Sequence, residues 1–269
     1  MQGIVLGKYP IKFYFKLFFL HLRINGLRWT LCFTARHVLA GSLRRVEKIS
    51  HRLEKKYALP GSNSVMENAL KWNHYSWKRG EEEWTKSEQW KDSVIEHVML
   101  ESIPPDCVVL EIGPGFGRWT RKLIEISRHL VVVDVAEKCI THCKKVFGDK
   151  DNVEFHVNDG RSLAFVDDDS IDYVWSFDVL VHIEPKDVDH YLQEFQRILK
   201  EDGVVILHHG AVGKTDFGWR SSLTLQIFSD FLERSKFKLV RQFNSWGDND
   251  EFSVASSDTI SIFRKSARV

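Results

Sequence analysis

Apolar and polar positions follow two different rhythms along this chain. From about residue 88 onward, five short β-branched and aromatic runs recur: CVVLEI (107 to 112), HLVVVD (129 to 134), VEFHV (153 to 157), IDYVWSF (171 to 177) and GVVILHH (203 to 209). Between them, apolar residues repeat at helical spacing from near Phe116, Ala136 and Pro185, the last segment placing Leu192, Phe195, Ile198 and Leu199 on one face. Strand-length apolar runs that alternate with helices predict an α/β fold, a doubly wound and mostly parallel sheet of seven strands. After Ser222, LTLQIFSDFLERS predicts another helix, and FKLVRQF and DTISIFRK predict the last two strands. No crossover helix fits between these two, so they are expected to pair antiparallel at the sheet edge.

The first sixty residues follow another pattern. In IKFYFKLFFLHLRI (11 to 24), Lys12, Lys16 and Arg23 break the apolar run before it reaches spanning length, which argues against a transmembrane helix. Lys16, the further arginines and the lack of a small-residue cleavage site argue against a signal peptide. Leu43, Val46, Ile49 and Leu53 then recur at helical spacing, with Arg44, Arg45, Lys48 and Arg52 largely on the other side, predicting a basic amphipathic helix. LPGSNS (59 to 64) reads as a linker or turn. The expected organisation is a basic helical N-terminal arm over 1 to 60, an aromatic-rich helical lead or lid over 61 to 105, and the α/β domain over 106 to 269.

Charge sharpens that division. The formal net charge is +1, yet residues 1 to 60 hold 12 Lys or Arg against two acids, leaving 26 basic and 35 acidic residues in the rest. A basic arm on an acidic body suggests a polyanionic or membrane-surface contact for the arm. At 269 residues with 43% hydrophobic side chains, the chain can bury a substantial core and is neither disordered nor a repeat array. Cys32, Cys107, Cys139 and Cys143 form no CxxC pair and no disulfide framework, so a reducing cytoplasm is expected.

The chemistry is concentrated in VLEIGPGFGRWT, where Glu111, Gly113, Gly115 and Gly117 stand at a strand-to-helix junction. A tight turn there needs unusual dihedrals, and a ligand must approach the backbone without a Cβ in the way. The spacing is GxGxG after an acid, not the dinucleotide GxGxxG. A carboxylate two residues before the first glycine repels a diphosphate and suits a cationic ligand.

Here the sequence resembles the class I S-adenosylmethionine-dependent methyltransferases over roughly residues 88 to 265. EIGPGFG looks like that family's first motif, which implies that Glu111, Gly113, Gly115 and Gly117 line the methionine end of the cofactor. Asp134, ending the second strand, matches the acid that meets the ribose hydroxyls. Asp159 and Gly160 match the pair that meets the adenine, and DYVWSFDVLVHIE places Ser176, Phe177 and Asp178 beside the methionine moiety. RILKEDGVVIL matches the helix, turn and fifth strand. The resemblance implies a Rossmann-like methyltransferase fold and S-adenosyl-L-methionine as cofactor.

A hydroxyl acceptor needs a base for its proton, and two histidines are candidates: His182 after the fourth strand, and His209 at the end of the fifth. Neighbouring strand residues point to opposite faces, so at most one of His208 and His209 faces the site, and His209 is preferred. No NPPY-like tetrapeptide follows the fourth strand, where the sequence is SFDV, which favours a hydroxyl over an amide or nucleobase nitrogen. Trp219, Arg220, Tyr75 and Trp77 lie in the segments where the family's acceptor-covering elements sit, and are candidates to stack on or clamp a small-molecule or saccharide acceptor. Cys139, His142 and Cys143 share one helix without a fourth ligand, so no metal is expected.

The leading expectation is methyl transfer to a hydroxyl of a small-molecule or saccharide acceptor, lipid-linked glycans included. A membrane-recruited, non-catalytic cofactor-binding subunit is one alternative, and an NAD-dependent dehydrogenase another that the GxGxG spacing disfavours. The arm either meets an anionic membrane surface from the cytoplasmic side, packs on the body, or forms an oligomer contact; no nucleic-acid partner is expected, for want of a recognisable RNA-binding motif.

Overall fold

The computed structural model describes residues 11–57, 63–213 and 220–266. The chain divides into two compact units, with the boundary between Gly61 and Ser62. In the first unit a single long helix, α1 (Ile11–Tyr57), is interrupted at Gly26, whose φ of 75° and ψ of 169° no helix tolerates. Leu39, Leu43, Val46, Ile49 and Leu53 of its second half are all exposed.

The second unit opens with α2 (Val65–His74), capped by the Ser64 side chain, which accepts from the Glu67 amide. A short 3₁₀ turn and α3 (Glu88–Val94) follow, the latter capped in the same way by Ser87 and running into a π-helical turn over Ile95–Leu100. The alternating part begins at β1 (Cys107–Ile112) and continues through α4 (Thr120–Ile126), β2 (Ser127–Asp134), α5 (Glu137–Phe147), β3 (Val153–Val157), β4 (Ile171–Leu180), α6 (Pro185–Ile198) and β5 (Leu199–Gly210). The chain closes with α7 (Leu225–Arg234), β6 (Phe237–Phe243), a two-residue pair β7 (Ser245–Trp246) and β8 (Phe252–Ser253), and β9 (Asp258–Lys265).

Seven strands form one sheet in the order β3-β2-β1-β4-β5-β9-β6, parallel from β3 to β5. β9 runs antiparallel to both β5 and β6, so the last two strands pair antiparallel at the sheet edge as expected, with β9 inserted beside β5 and β6 outermost. Alternate strand residues feed two cores. Leu110, Val131, Val133, Val205 and Leu207 pack with α6 and α7 on one face, while Val109, Leu130, Val132, Trp175 and Ile206 pack with α3, α4 and α5 on the other. Trp119, Trp175, Phe195 and Phe228 are fully buried, and each contributes about 1.5–3 kcal/mol.

Candidate active site

The strand order reverses between β1 and β4, the switch point at which open α/β sheets bind ligands beyond the carboxyl ends of their strands. The glycine loop leaves β1 there. Gly113 has a φ of 73°, and a Cβ on it would stand 2.4 Å from Val179 Cγ2. Gly115 (φ 57°) lies under the Trp77 ring, which stacks on Phe116 at 4.6 Å, with His142 stacked on the other face at 3.8 Å. Cys143 Sγ donates to the Gly115 carbonyl at 3.5 Å, and burial pushes its thiol up. His142 and Cys143 thus brace the loop from α5.

The resulting cleft encloses about 960 Å³ of empty space, open solvent included. Gly113, Gly115, Asp134, Gly160, Phe177 and Asp178 line it, all expected from the sequence. Asp134 Oδ1 accepts from the Ala136 amide at 2.8 Å; burial lifts its pKa to about 6 against the pull of the backbone amides it accepts from. Four expected residues stand outside the lining. Gly117 packs toward Phe147, Ser176 donates to the Ile112 carbonyl at 3.0 Å, and the exposed Asp159 accepts from the Arg161 and Ser162 amides in a local turn. Glu111 is buried and turned toward α4, where Oε2 accepts from Thr120 Oγ1 at 2.6 Å. Its Oε1 has no partner, and burial raises its pKa to about 8.

Beside the cleft lies a second chamber of about 780 Å³, sharing Trp72, Trp84, Asp178 and His182 with it. Trp90, Lys86, His208, Arg220 and Asp258 complete much of its wall. The expected base is corrected here. Val205 and Leu207 point toward α6 and α7, and His209 follows them: it lies 4.0 Å from the Phe228 ring, with Nδ1 2.8 Å from the Gly210 carbonyl and Nε2 2.8 Å from Ser261 Oγ. Fully buried on that side, with its pKa depressed to about 4 mainly by burial, His209 packs the core and does not face the site. His208 alternates with Ile206 and faces the chamber instead.

The other acceptor candidates divide. His182 lines both cavities, its ring 5.7 Å from that of Trp72. Arg220 lines the chamber with Nη2 2.9 Å from Asp258 Oδ2. Trp77 covers the glycine loop on the cofactor side, and Tyr75 lies outside both linings, its hydroxyl donating to Glu83 at 2.9 Å. Trp219 lies outside the described residues.

Comparison with known proteins decides what this cleft is. A family model described as a methyltransferase domain matches residues 109–203, a span that begins within β1 and ends within β5. Over that span the chain resembles the class I S-adenosylmethionine-dependent methyltransferases. It is 23% identical over 198 residues to phosphoethanolamine N-methyltransferase 1 of Triticum aestivum, covering 66% of this chain and 40% of that protein. With the Zea mays protein of the same name the identity is 23% over 156 residues, 58% of this chain and 31% of the other. The chain thus spans less than half the length of these curated relatives. Among solved structures, Haemonchus contortus phosphoethanolamine N-methyltransferase 1, in complex with phosphoethanolamine and S-adenosylhomocysteine, superimposes with a TM-score of 0.58 at 18% identity, over 77% of this chain and 50% of that one. A SAM-dependent methyltransferase of Leishmania major gives a TM-score of 0.59 at 13% identity, over 74% and 82%. Nothing in these likenesses supports the dehydrogenase alternative.

The family's cofactor is S-adenosylmethionine, and the methyltransferase cleft fits it. The Asp134 carboxylate at the end of β2 lines it, the glycine turn leaves bare backbone on its floor, and the unpartnered Glu111 Oε1 lies buried behind that loop. Sequence reasoning missed Arg118, Asp187 and Tyr191 in the cleft, and His208 and Asp258 in the chamber, and it singled out the aromatic stretch from 72 to 84 without naming Trp72 and Trp84 at its two ends. Arg118 directly follows the last glycine of the motif and was the most accessible signal among them.

Proposed function

We propose that the chain transfers a methyl group from S-adenosylmethionine to a hydroxyl of a small-molecule or saccharide acceptor held in the tryptophan-walled chamber. The observation that carries this reading is the shared wall: Trp72, Trp84, Asp178 and His182 each border both the cofactor cleft and the chamber. When bound, the cofactor supplies an electrophilic methyl carbon on a sulfonium, and the acceptor's lone pair forms the new bond as the carbon–sulfur pair returns to sulfur. Glu111, the glycine loop and Asp134 bind and orient, while the tryptophans exclude water and offer flat apolar faces with a polar rim.

A second reading takes an amine as acceptor. It is favoured by the names of the phosphoethanolamine N-methyltransferase relatives and by Lys86 and Arg220, two cations in the chamber wall that suit an acidic head group. Radiolabelled methyl transfer to a panel of methyl glycosides and to phosphoethanolamine separates the two. Label on a glycoside supports the hydroxyl reading, label on phosphoethanolamine replaces it, and cofactor binding without any transfer favours the non-catalytic subunit.

The arm is proposed to rest on an anionic membrane surface at the cytoplasmic side. Among the described residues no helix is long and apolar enough to cross a membrane. The exposed Leu43, Val46, Ile49 and Leu53 form a stripe beside the exposed Arg45, Lys48 and Arg52, and each cation near an anionic leaflet adds on the order of 1 kcal/mol. Flotation with vesicles containing phosphatidylserine is expected at low salt and is expected to be lost in an Ile49→Glu, Leu53→Glu variant; no flotation of the full chain removes the proposal.

A further inference from the structure

β4 leaves its ladder with β5 between Ser176 and Leu180, and in that gap Asp178 adopts a φ of 64°. A non-glycine residue held in the left-handed region is strained and persists only where its surroundings fix it. Two contacts fix Asp178. Its Oδ2 accepts from Arg118 Nη2, and its Oδ1 lies 3.1 Å from His208 Nδ1. Burial alone would raise the Asp178 pKa, but the His208 bond and the Arg118 charge hold it well below the usual carboxylate range.

His208 Nδ1 has two neighbours, both from Asp178 and both at 3.1 Å: the carboxylate oxygen and the backbone N–H. The amide requires a bare Nδ1, the carboxylate a protonated one. A hydrogen bond to an ionised carboxylate is about twice as strong as a neutral one, so the carboxylate wins and the neutral ring carries its proton on Nδ1. That leaves Nε2 bare. It is buried and makes no hydrogen bond, in a ring that borders the chamber, and its nearest carboxylate oxygen, Asp258 Oδ2, is 3.5 Å away. An imidazole oriented by a carboxylate, with its other nitrogen free beside a cleft, is the arrangement of a general base.

We infer that His208 is the group that takes the acceptor's proton and that Asp178 positions it, which makes the acceptor atom a hydroxyl oxygen; this rests on the methyl-transfer reading above. The acceptor O–H bond breaks, its proton goes to Nε2, and the oxygen pair it leaves forms the bond to the methyl carbon. The imidazolium so formed lies between Asp178 and Asp258 until it returns its proton to solvent. An amine can shed its proton to water before it enters, whereas a hydroxyl needs a base in place at the moment of attack.

The groups that set the pH response face His208 from every side. Asp178 comes from β4 and Asp258 from β9, Arg118 and Arg220 pair with those carboxylates, His209 is the chain neighbour, and Lys86 and His182 border the same chamber. Burial pulls the His208 pKa down, but the neighbouring Asp178 and Asp258 carboxylates outweigh burial and lift it above its ordinary value. The base works when neutral, so turnover should fall as pH drops through that raised value.

Nitrogen NMR of ¹⁵N-histidine-labelled full-length protein saturated with S-adenosylhomocysteine tests this without a known acceptor. The His208 signals, assigned by their loss in His208→Gln or by through-bond correlation should that variant not fold, are expected to show a protonated Nδ1 and a bare Nε2 above the pKa. Asp178→Asn, which removes the carboxylate and keeps the amide donor, is expected to move the proton to Nε2. A wild-type ring protonated on Nε2 at high pH overturns the inference while leaving cofactor binding intact. Failure to bind S-adenosylhomocysteine at all would sink the methyl-transfer reading instead.

Discussion

Asp178 Oδ1 and His208 Nδ1 lie 3.1 Å apart across the break in the β4–β5 ladder, joining the strand that borders the cofactor cleft to the strand that borders the tryptophan-walled chamber. By strand alternation the Asp178 side chain belongs on the α6 and α7 side with Val174 and Ser176. Its left-handed backbone turns it to the His208 side instead. The Arg118–Asp178–His208–Asp258–Arg220 series, in which the two carboxylates flank the imidazole and each pairs with an arginine, follows from that one reversal.

His209→Ala is expected to behave as a core lesion. It removes a ring packed on Phe228 and bonded at both nitrogens, at a cost of about 3 kcal/mol. Denaturant unfolding should show that loss, with S-adenosylhomocysteine affinity unchanged at temperatures where the variant is folded. Because the folded pKa is depressed to about 4 from 6.5, the contribution of His209 is complete above 6.5 and is lost as pH falls toward 4. His209→Gln should flatten that part of the stability profile.

Glu111 acts in the opposite sense. Its pKa is raised from 4.5 to about 8, so its contribution is complete below 4.5 and is lost as pH rises to about 8. Glu111→Gln should therefore gain stability relative to wild type across that window, by up to about 1.4 kcal/mol per pH unit, in thermal unfolding without cofactor. Binding of the cationic cofactor favours the ionised carboxylate. Calorimetry near pH 7.5 in buffers of different ionisation enthalpy should register proton release in wild type that Glu111→Gln lacks.

Gly113→Ala meets two obstacles, the φ of 73° and Val179 Cγ2 at 2.4 Å, and is expected to cost about 3 kcal/mol and weaken S-adenosylhomocysteine binding. Adding Val179→Ala removes the steric part alone. Partial recovery of the melting temperature in the double variant is the outcome to look for.

The sheet was legible because its strands are short β-branched and aromatic runs set off by turns: β1 and β3 have the bounds read from the sequence, Cys107–Ile112 and Val153–Val157. One such run hid the choice between the two histidines. Val205, Ile206 and Leu207 are all buried, so no polar face tells which of His208 and His209 looks toward the cleft. The left-handed Asp178 extends β4 to Leu180 and leaves no mark in SFDV, since Asp is ordinary at a strand end. The helix expected from Phe116 starts at Thr120, because the loop glycines Gly115 and Gly117 hold positive φ. Asp258 read as the first residue of an edge strand, and only the insertion of β9 beside β5 brings it to His208.

Titration of the full-length chain with S-adenosylhomocysteine, followed by calorimetry and with NAD as control, tests the central claim most directly. Stoichiometric binding of the thioether nucleoside, weakened by Gly113→Ala and absent for NAD, is the expected result. No heat with S-adenosylhomocysteine or with S-adenosylmethionine, from protein that is folded, would contradict it.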